Sequence, residues 1–366
     1  ARRLLDLTQE ATLLLFTLGA GKVEDFPPCE EALERAEKGA SLSMAELLGV
    51  ARLLRSARVL YRAVRSFSDE RIVRFQELTE HLMFDERLEE DIGRKILNEN
   101  ELFDHASEKL FSLRTQIRQL GERIRTRLQG YLAGEERKFL QDGIVTVRGD
   151  RFVIPVKAEY KGQVPGMVHD QSSTGSTLFI EPMAVVNLNN EYKELQLREQ
   201  EEIEVILAGL SNLTASYATQ LLADYELLTE LDFIFARAAF AQTYNGVAPL
   251  FNDDGRIHIR KGRHPLLDPK KVVPIDVRLG EDFRLLIVTG PNTGGKTVSL
   301  KTVGLLTLMG QSGLHIPASE RSELGIFDEV FADIGDEQSI EQSLSTFSSH
   351  MVNIICLLYT SPSPRD

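Results

Sequence analysis

The eight residues Gly290-Pro291-Asn292-Thr293-Gly294-Gly295-Lys296-Thr297 constrain this chain more than any other stretch. They fit the Gly-x-x-x-x-Gly-Lys-Thr pattern of a phosphate-binding loop. Just before them, Arg284-Leu285-Leu286-Ile287-Val288 reads as a buried strand, and residues 298–309 just after read as a helix. Strand, glycine turn and helix in that order predict an α/β domain. The chemistry requires the same order. Glycines let backbone amides turn toward phosphate oxygens, and the helix that follows points its positive end at them. In such a loop Lys296 neutralises charge on the β- and γ-phosphates and Thr297 is placed to ligate Mg²⁺. The pattern predicts a nucleoside triphosphate. An Asn-Lys-x-Asp motif of the kind that reads guanine is absent, which favours ATP.

The rest of the chain changes character twice. Residues 1–100 are helical in pattern, punctuated by Pro27-Pro28 and Gly39. Between 107 and 133, Leu110, Leu113, Ile117, Leu120, Ile124, Leu128 and Leu132 recur every three or four residues, a stripe that packs against another helix. Ile144-Val145-Thr146-Val147-Arg148 and Phe152-Val153-Ile154-Pro155-Val156 then read as strands joined by the turn Gly149-Asp150. Ser176-Thr177-Leu178-Phe179-Ile180 reads as another, so residues 143–183 form a small β element. From 185 to 244 there is no proline and one glycine, Gly209. As a single helix this stretch is about 90 Å long; a long helix followed by a shorter one fits equally well. After Pro249, residues 256–261, 272–279 and 283–289 are strand candidates in a new α/β domain.

Composition narrows the partners. The 366 residues carry a formal net charge of −13, so nucleic acid is repelled on average and any contact needs a local basic patch. Residues 110–140 supply one candidate, with Arg114, Arg118, Arg123, Arg125 and Arg127. Two readings stay open there: a solvated helix face, or phosphate contact through Arg114, Arg118 and Arg125. The two cysteines, Cys29 and Cys356, lie far apart and suggest a reducing, cytoplasmic setting. No apolar run approaches the roughly 20 residues that span a bilayer.

Other candidates are weaker. His264, before Pro265, reads either as lining the nucleotide site or as a structural histidine. Gly325-Ile326-Phe327-Asp328-Glu329 offers a carboxylate pair for Mg²⁺ and water, but its apolar run is short, and an ordinary strand end fits Asp328 and Glu329 better. Phe75-x-Glu77 and Phe84-x-Glu86 match a base-wedging Phe-x-Glu pattern, as chance allows in a chain with 18 phenylalanines. The acidic run Glu191 to Glu204 reads as a solvated face.

With Pro-Asn inside the loop and two glycines before its lysine, the loop resembles that of the MutS family. Phe331-Ala332-Asp333-Ile334-Gly335-Asp336-Glu337-Gln338, leading into Ser345-Thr346-Phe347-Ser348-Ser349-His350-Met351, resembles that family's Ile-Gly segment and Ser-Thr-Phe loop. Val153-Ile154-Pro155-Val156-Lys157-Ala158-Glu159-Tyr160-Lys161-Gly162, His169-Asp170-Gln171-Ser172-Ser173 and Thr177-Leu178-Phe179-Ile180-Glu181-Pro182 are similar to the second bacterial paralogue, MutS-two. The similarity runs from about residue 40 to residue 356. It implies a helical core with a lever and clamp and an ABC-type ATPase domain. It also implies a homodimer in which Ser345 and Thr346 reach the partner's nucleotide. The family's roles imply recombining or branched DNA, or collided ribosomes and their RNA, as the partner. Its catalytic Asp-Glu strand lies downstream of the Ser-Thr-Phe loop, and its nuclease domain further on.

The expected fold is therefore multidomain, α plus α/β. A helical core and lever (1–142), a small β element as clamp or connector (143–183) and a long helical arm (184–248) precede an incomplete ABC-type P-loop ATPase domain (249–356). Residues 357–366 match nothing in the family and look non-native. The chain is read as an N-terminal fragment that binds ATP without turnover, its strand 283–289 left with exposed apolar surface. The alternatives are a coiled-coil ATPase of the SMC or ABC type, for which no Leu-Ser-Gly-Gly loop is found, and a nucleotide-switched clamp without significant turnover.

Overall fold

The computed structural model describes residues 1–18, 23–67, 69–291 and 294–332, together with 351 and 355. In chain order, helices α1 (Arg2–Leu18), α2 (Glu30–Glu37), α3 (Met44–Ser66), α4 (Val73–Thr79) and α5 (Glu86–Lys95) lead to a short hairpin, β1 (Ile96–Asn98) and β2 (Glu101–Leu102). Helix α6 (Glu108–Ala133) is followed by β3 (Thr146–Arg148), β4 (Arg151–Lys157), β5 (Gly166–Gln171) and β6 (Thr177–Pro182). Helices α7 (Val186–Ser216) and α8 (Ala218–Thr243) come next, then β7 (Leu250–Asn252), β8 (Ile257–Gly262), β9 (Ile275–Leu279), α9 (Lys296–Gln311) and β10 (Glu323–Gly325). The chain is thus mixed α and β. Its two compact units are not consecutive in sequence and cut across the five ranges expected above. One draws on Ala1–Val23, Val59–Leu82 and Glu226–Asp366, the other on Glu24–Arg58 and Met83–Tyr225.

In the second unit the small β element is a four-stranded antiparallel sheet in the order β3-β4-β6-β5. The β3–β4 turn needs two residues in the left-handed region, and Gly149 (φ 53°) and Asp150 (φ 59°) supply them. The α6 stripe behaves as its spacing predicts: Leu110, Leu113, Leu120, Ile124 and Leu128 are buried. All but Leu110 share one core with Ile154, Val156 and Ile180 of the sheet and with Leu195 of α7. Strand β5 was not expected. Every one of its residues is exposed, so no apolar alternation marks it, and backbone pairing to β6 alone defines it. The arm is two helices, broken at Tyr217, whose ψ of 4° leaves the helical range.

A buried carboxylate fastens this sheet to α7. Glu181 is fully buried and accepts hydrogen bonds from Arg151 Nη1 (3.0 Å) and Asn189 Nδ2 (2.7 Å), with the His169 ring also in contact. The Asn189 amide in turn pairs with both backbone groups of Phe152. One side chain thereby links β4, β5, β6 and the first turn of α7. Glu181→Ala removes the acceptor and leaves the Arg151 charge unmatched, which costs about 3–5 kcal/mol when a buried pair is broken. Urea unfolding followed by circular dichroism is expected to show that loss; a change under 1 kcal/mol contradicts the role given to Glu181.

In the same unit Asp224 of α8 accepts from the Met83 amide (3.0 Å), while its second oxygen has no partner among the described residues. Burial pushes this carboxyl up to about 7, and the Met83 bond offsets only part of that. Between the ordinary carboxylate value of 3.8 and about 7, the folded chain holds a proton that the unfolded chain releases. This group's contribution to stability is therefore full at low pH, falls as pH rises through that window, and stays low above it. Asp224→Asn keeps the acceptor and removes the charge. Its stability relative to wild type is expected to increase steadily from about pH 4 to about pH 7, read as urea midpoints. A difference independent of pH contradicts the assignment.

Candidate functional site

In the first unit, strands β7-β10-β8-β9 form a sheet in which β7 and β10 run parallel and the other pairs antiparallel. Helix α9 lies on it, burying Leu306 and Met309 with Ile257, Ile259, Ile316 and Leu324. The approach is close. A Cβ at Gly310 would lie 2.8 Å from Leu324 Cδ1 and 3.2 Å from Pro249.

Lys296 is the first residue of α9, and Gly295, the residue before it, has φ 79° in the left-handed region. Gly290 opens the loop at φ 146°, and nothing lies within 4 Å of where a Cβ would stand on either glycine. The Gly294 amide donates to Pro291 O (2.9 Å), and the Ser299 amide donates to Gly295 O (2.9 Å), starting the helix. Lys296 Nζ folds back and donates to Gly290 O (2.7 Å). The ammonium thus sits across the mouth of the loop at the positive end of a 16-residue helix. Thr297 is exposed at that end. Asn292 and Thr293 lie outside the described residues, as do Ser345, Thr346 and Cys356.

The opposite end of α9 is held tightly. Gly313 (φ 83°) terminates it, with Leu314 N donating to Met309 O and Gly313 N to Gly310 O, both at 2.9 Å, as a Schellman motif requires. Thr8 Oγ1 of α1 donates to Gly313 O (2.7 Å) and Arg237 Nη1 of α8 to Ser312 O (3.1 Å). Thr8 is fully buried and Arg237 nearly so, and burial lowers the Arg237 pKa. Neither side chain was singled out in the sequence, where a helical threonine and arginine carry no signal of their own.

The segment expected to be the strand before the loop is a correction. Residues 283–289 are not paired into the sheet. Leu285, Leu286, Ile287 and Val288 are exposed by 74%, 46%, 75% and 50%, so the apolar run that reads as a buried strand is open to solvent here. A strand apolar on both faces needs neighbours on both sides, and none of the described strands pairs with it. Asp328 and Glu329 follow β10 as exposed residues and have no hydrogen-bond or ion-pair partner among the described residues. His264 is half-buried, its Nδ1 accepting weakly from the Leu266 amide (3.4 Å). Phe75 is no wedge: it is fully buried, its ring 5.0 Å from that of Phe235.

The arginines of α6 need a second correction. Arg114 is largely buried and donates to Glu199 (2.8 Å), Asp104 (2.7 Å) and Leu102 O (2.8 Å). It braces α6 internally and presents no free guanidinium. Arg118 pairs with Asp104 (2.9 Å), and Arg125 pairs with Glu122 (2.5 Å) while covering the Phe152 ring. Among the described residues no helix is long and apolar enough to cross a membrane. Cys29 is buried, with its thiol pushed up to about 11 by burial.

Comparison with known proteins places the loop in context. Residues 286–363, which take in the loop and α9, match the family model described as MutS domain V. The chain is 61% identical over 329 residues to the Endonuclease MutS2 of Agathobacter rectalis, covering 89% of this chain and 42% of that protein. It is 50% identical over 355 residues to the Endonuclease MutS2 of Clostridium botulinum, covering 97% and 45%. For the Endonuclease MutS2 of Ruminiclostridium cellulolyticum the match is 49% over 358 residues, covering 97% and 45%. The chain belongs to the MutS family, in its MutS2 branch, and spans less than half the length of these relatives.

Gly313 tests the held end of α9 directly. A Cβ there would lie 2.5 Å from Leu4 Cβ and 2.7 Å from Arg237 Nη1. Gly313→Ala is therefore expected to cost more than about 1 kcal/mol, combining left-handed strain with a clash. Thermal unfolding of the two proteins side by side checks this, and an unchanged midpoint refutes it.

Proposed function

We propose that this chain binds ATP with Mg²⁺ at the loop 290–297, as the nucleotide-binding part of a MutS2-type machine. The observation that carries the reading is the placement of Lys296. Its ammonium closes a glycine turn at the N-terminus of α9, the one arrangement that brings backbone amides, a helix end and a cation to the same point. The residues present fit the ligand. Gly290 and Gly295 leave room where side chains would obstruct phosphate oxygens, and the exposed Thr297 hydroxyl would join phosphate oxygens in holding Mg²⁺. His264 stays a candidate for the rim of that site.

The wider reading rests on the relatives. As a MutS2-type protein, the complete molecule is proposed to work as an ATP-driven homodimeric clamp in the cytoplasm. Its partner is proposed to be nucleic acid, either branched or recombining DNA or the RNA of collided ribosomes. Ser345 and Thr346 are proposed to reach the nucleotide of the partner subunit. Endonuclease activity is part of the relatives' name and is proposed for the complete protein, not for these residues. Binding, not turnover, is the activity proposed for the chain itself.

Titration with a fluorescent ATP analogue in Mg²⁺ tests the core of this proposal. Lys296→Ala is expected to weaken binding by about 2–4 kcal/mol, the range for losing a charged hydrogen-bonding partner. Equal affinity in wild type and variant sinks the assignment of the loop.

A further inference from the structure

The basic residues of α6 are not equivalent. Lys109 pairs with Glu202 (2.7 Å), Arg114 with Glu199 and Asp104, Arg118 with Asp104, and Arg125 with Glu122. Each has a carboxylate within reach, contributed by α7, by the segment before α6 or by α6 itself. Arg123 and Arg127 are the exceptions: among the described residues neither has a hydrogen-bond, ion-pair or ring partner, and both are exposed. Four residues apart, they lie on one face of the helix, about 6 Å apart along its axis. That face is concave. Arg123, Thr126, Arg127 and Gly130 line a cavity of about 820 Å³ together with Glu122, whose carboxylate pairs with Arg125, and its far wall is Ala184 and Leu188 around the start of α7. The absence of a side chain at Gly130 and the small Ala184 keep it open.

We infer that this groove is a contact site for the phosphodiester backbone of duplex DNA, with Arg123 and Arg127 each meeting a phosphate. Two unmatched guanidiniums on one helix face, beside a groove, suit an anionic partner, and the chain's net charge of −13 makes a basic pair of this kind a local exception. A duplex supplies one charge per about 3.4 Å of axis on each strand, so two cations about 6 Å apart can meet two phosphates of one strand. Guanidinium binds phosphate through two parallel hydrogen bonds, which fixes orientation as well as charge. Thr126, between them on the same face, adds a hydroxyl donor. The contact reads no base and is therefore blind to sequence. This inference rests on the nucleic-acid part of the reading above and assigns that contact to residues other than Arg114, Arg118 and Arg125.

The test uses the full 366-residue chain and a fluorescent 30-base-pair DNA duplex, followed by anisotropy across a salt series. A contact of this kind contributes a slope of about 0.9 per phosphate in a plot of log affinity against log salt. Arg123→Gln with Arg127→Gln is expected to lower that slope by about two and weaken binding about tenfold or more at low salt. Arg123→Lys with Arg127→Lys keeps the charge and is expected to preserve the slope while losing part of the affinity. Thermal unfolding of each variant excludes a folding effect, since both positions are exposed. Duplex RNA of the same sequence and inorganic phosphate serve as parallel probes. Loss of RNA binding with DNA binding intact overturns the DNA assignment, and phosphate competing at micromolar concentration overturns a backbone contact in favour of a small-anion site. If wild type binds DNA and the Gln pair leaves the slope unchanged, the groove is not the site. If wild type binds no duplex at all, the nucleic-acid reading itself falls, and this assignment with it.

Discussion

Helix α9, which begins at Lys296, is held by its far end. Gly313 lets the chain turn at the C-terminus of α9, and Thr8 and Arg237 then grip the carbonyls of Gly313 and Ser312. The charge is placed sensibly. A guanidinium beside the last carbonyls complements the negative end of the helix, as an anion would complement its positive end. Burial makes the contact strong, because carbonyls and donors shut away from water must find each other or go unmatched. Close packing at Gly310 fixes the distance from α9 to the sheet. The near end, by contrast, is open. Val298 and Leu300 are exposed by 42% and 58%, so the position of the loop is set by a helix anchored about 24 Å away.

In the other unit, charge does the joining. Glu181 ties three strands to α7, and Arg114 ties α6 to Glu199 of α7 and to Asp104. These few pairs place charged side chains at the joints between elements, where the sequence pattern alone did not put them. They also separate cations that hold the fold from cations left for a partner. That separation, and not the count of arginines, is what carries an argument about nucleic acid.

Much of this was legible in the sequence, and the failures have a common cause. The α6 stripe and the hairpin at Gly149-Asp150 are local patterns, in which spacing or backbone conformation decides the outcome, and both appear as expected. Helix α9 was legible for the same reason. Strand β5 was not, because an edge strand exposed on both faces has no apolar period to read. Residues 283–289 show the exposed apolar surface expected of them but are not a paired strand, because pairing depends on neighbours that no local pattern supplies. Arg114 and Arg127 look alike in sequence. Only the fold tells them apart, by placing Glu199 and Asp104 beside Arg114 and no ion-pair partner among the described residues beside Arg127. Glu181 reads as a polar residue at the end of a strand, and its full burial is made tolerable by three partners on other elements, Arg151, His169 and Asn189.

The backbone amides at the start of α9 are the groups proposed to receive phosphate. Hydrogen exchange at residues 294–298, measured with and without Mg²⁺ and ATP, addresses those amides themselves. Nucleotide binding at the loop predicts slowed exchange there at saturating ATP, reversed when the nucleotide is removed. Unchanged exchange at these amides while ATP is bound elsewhere on the chain would contradict it.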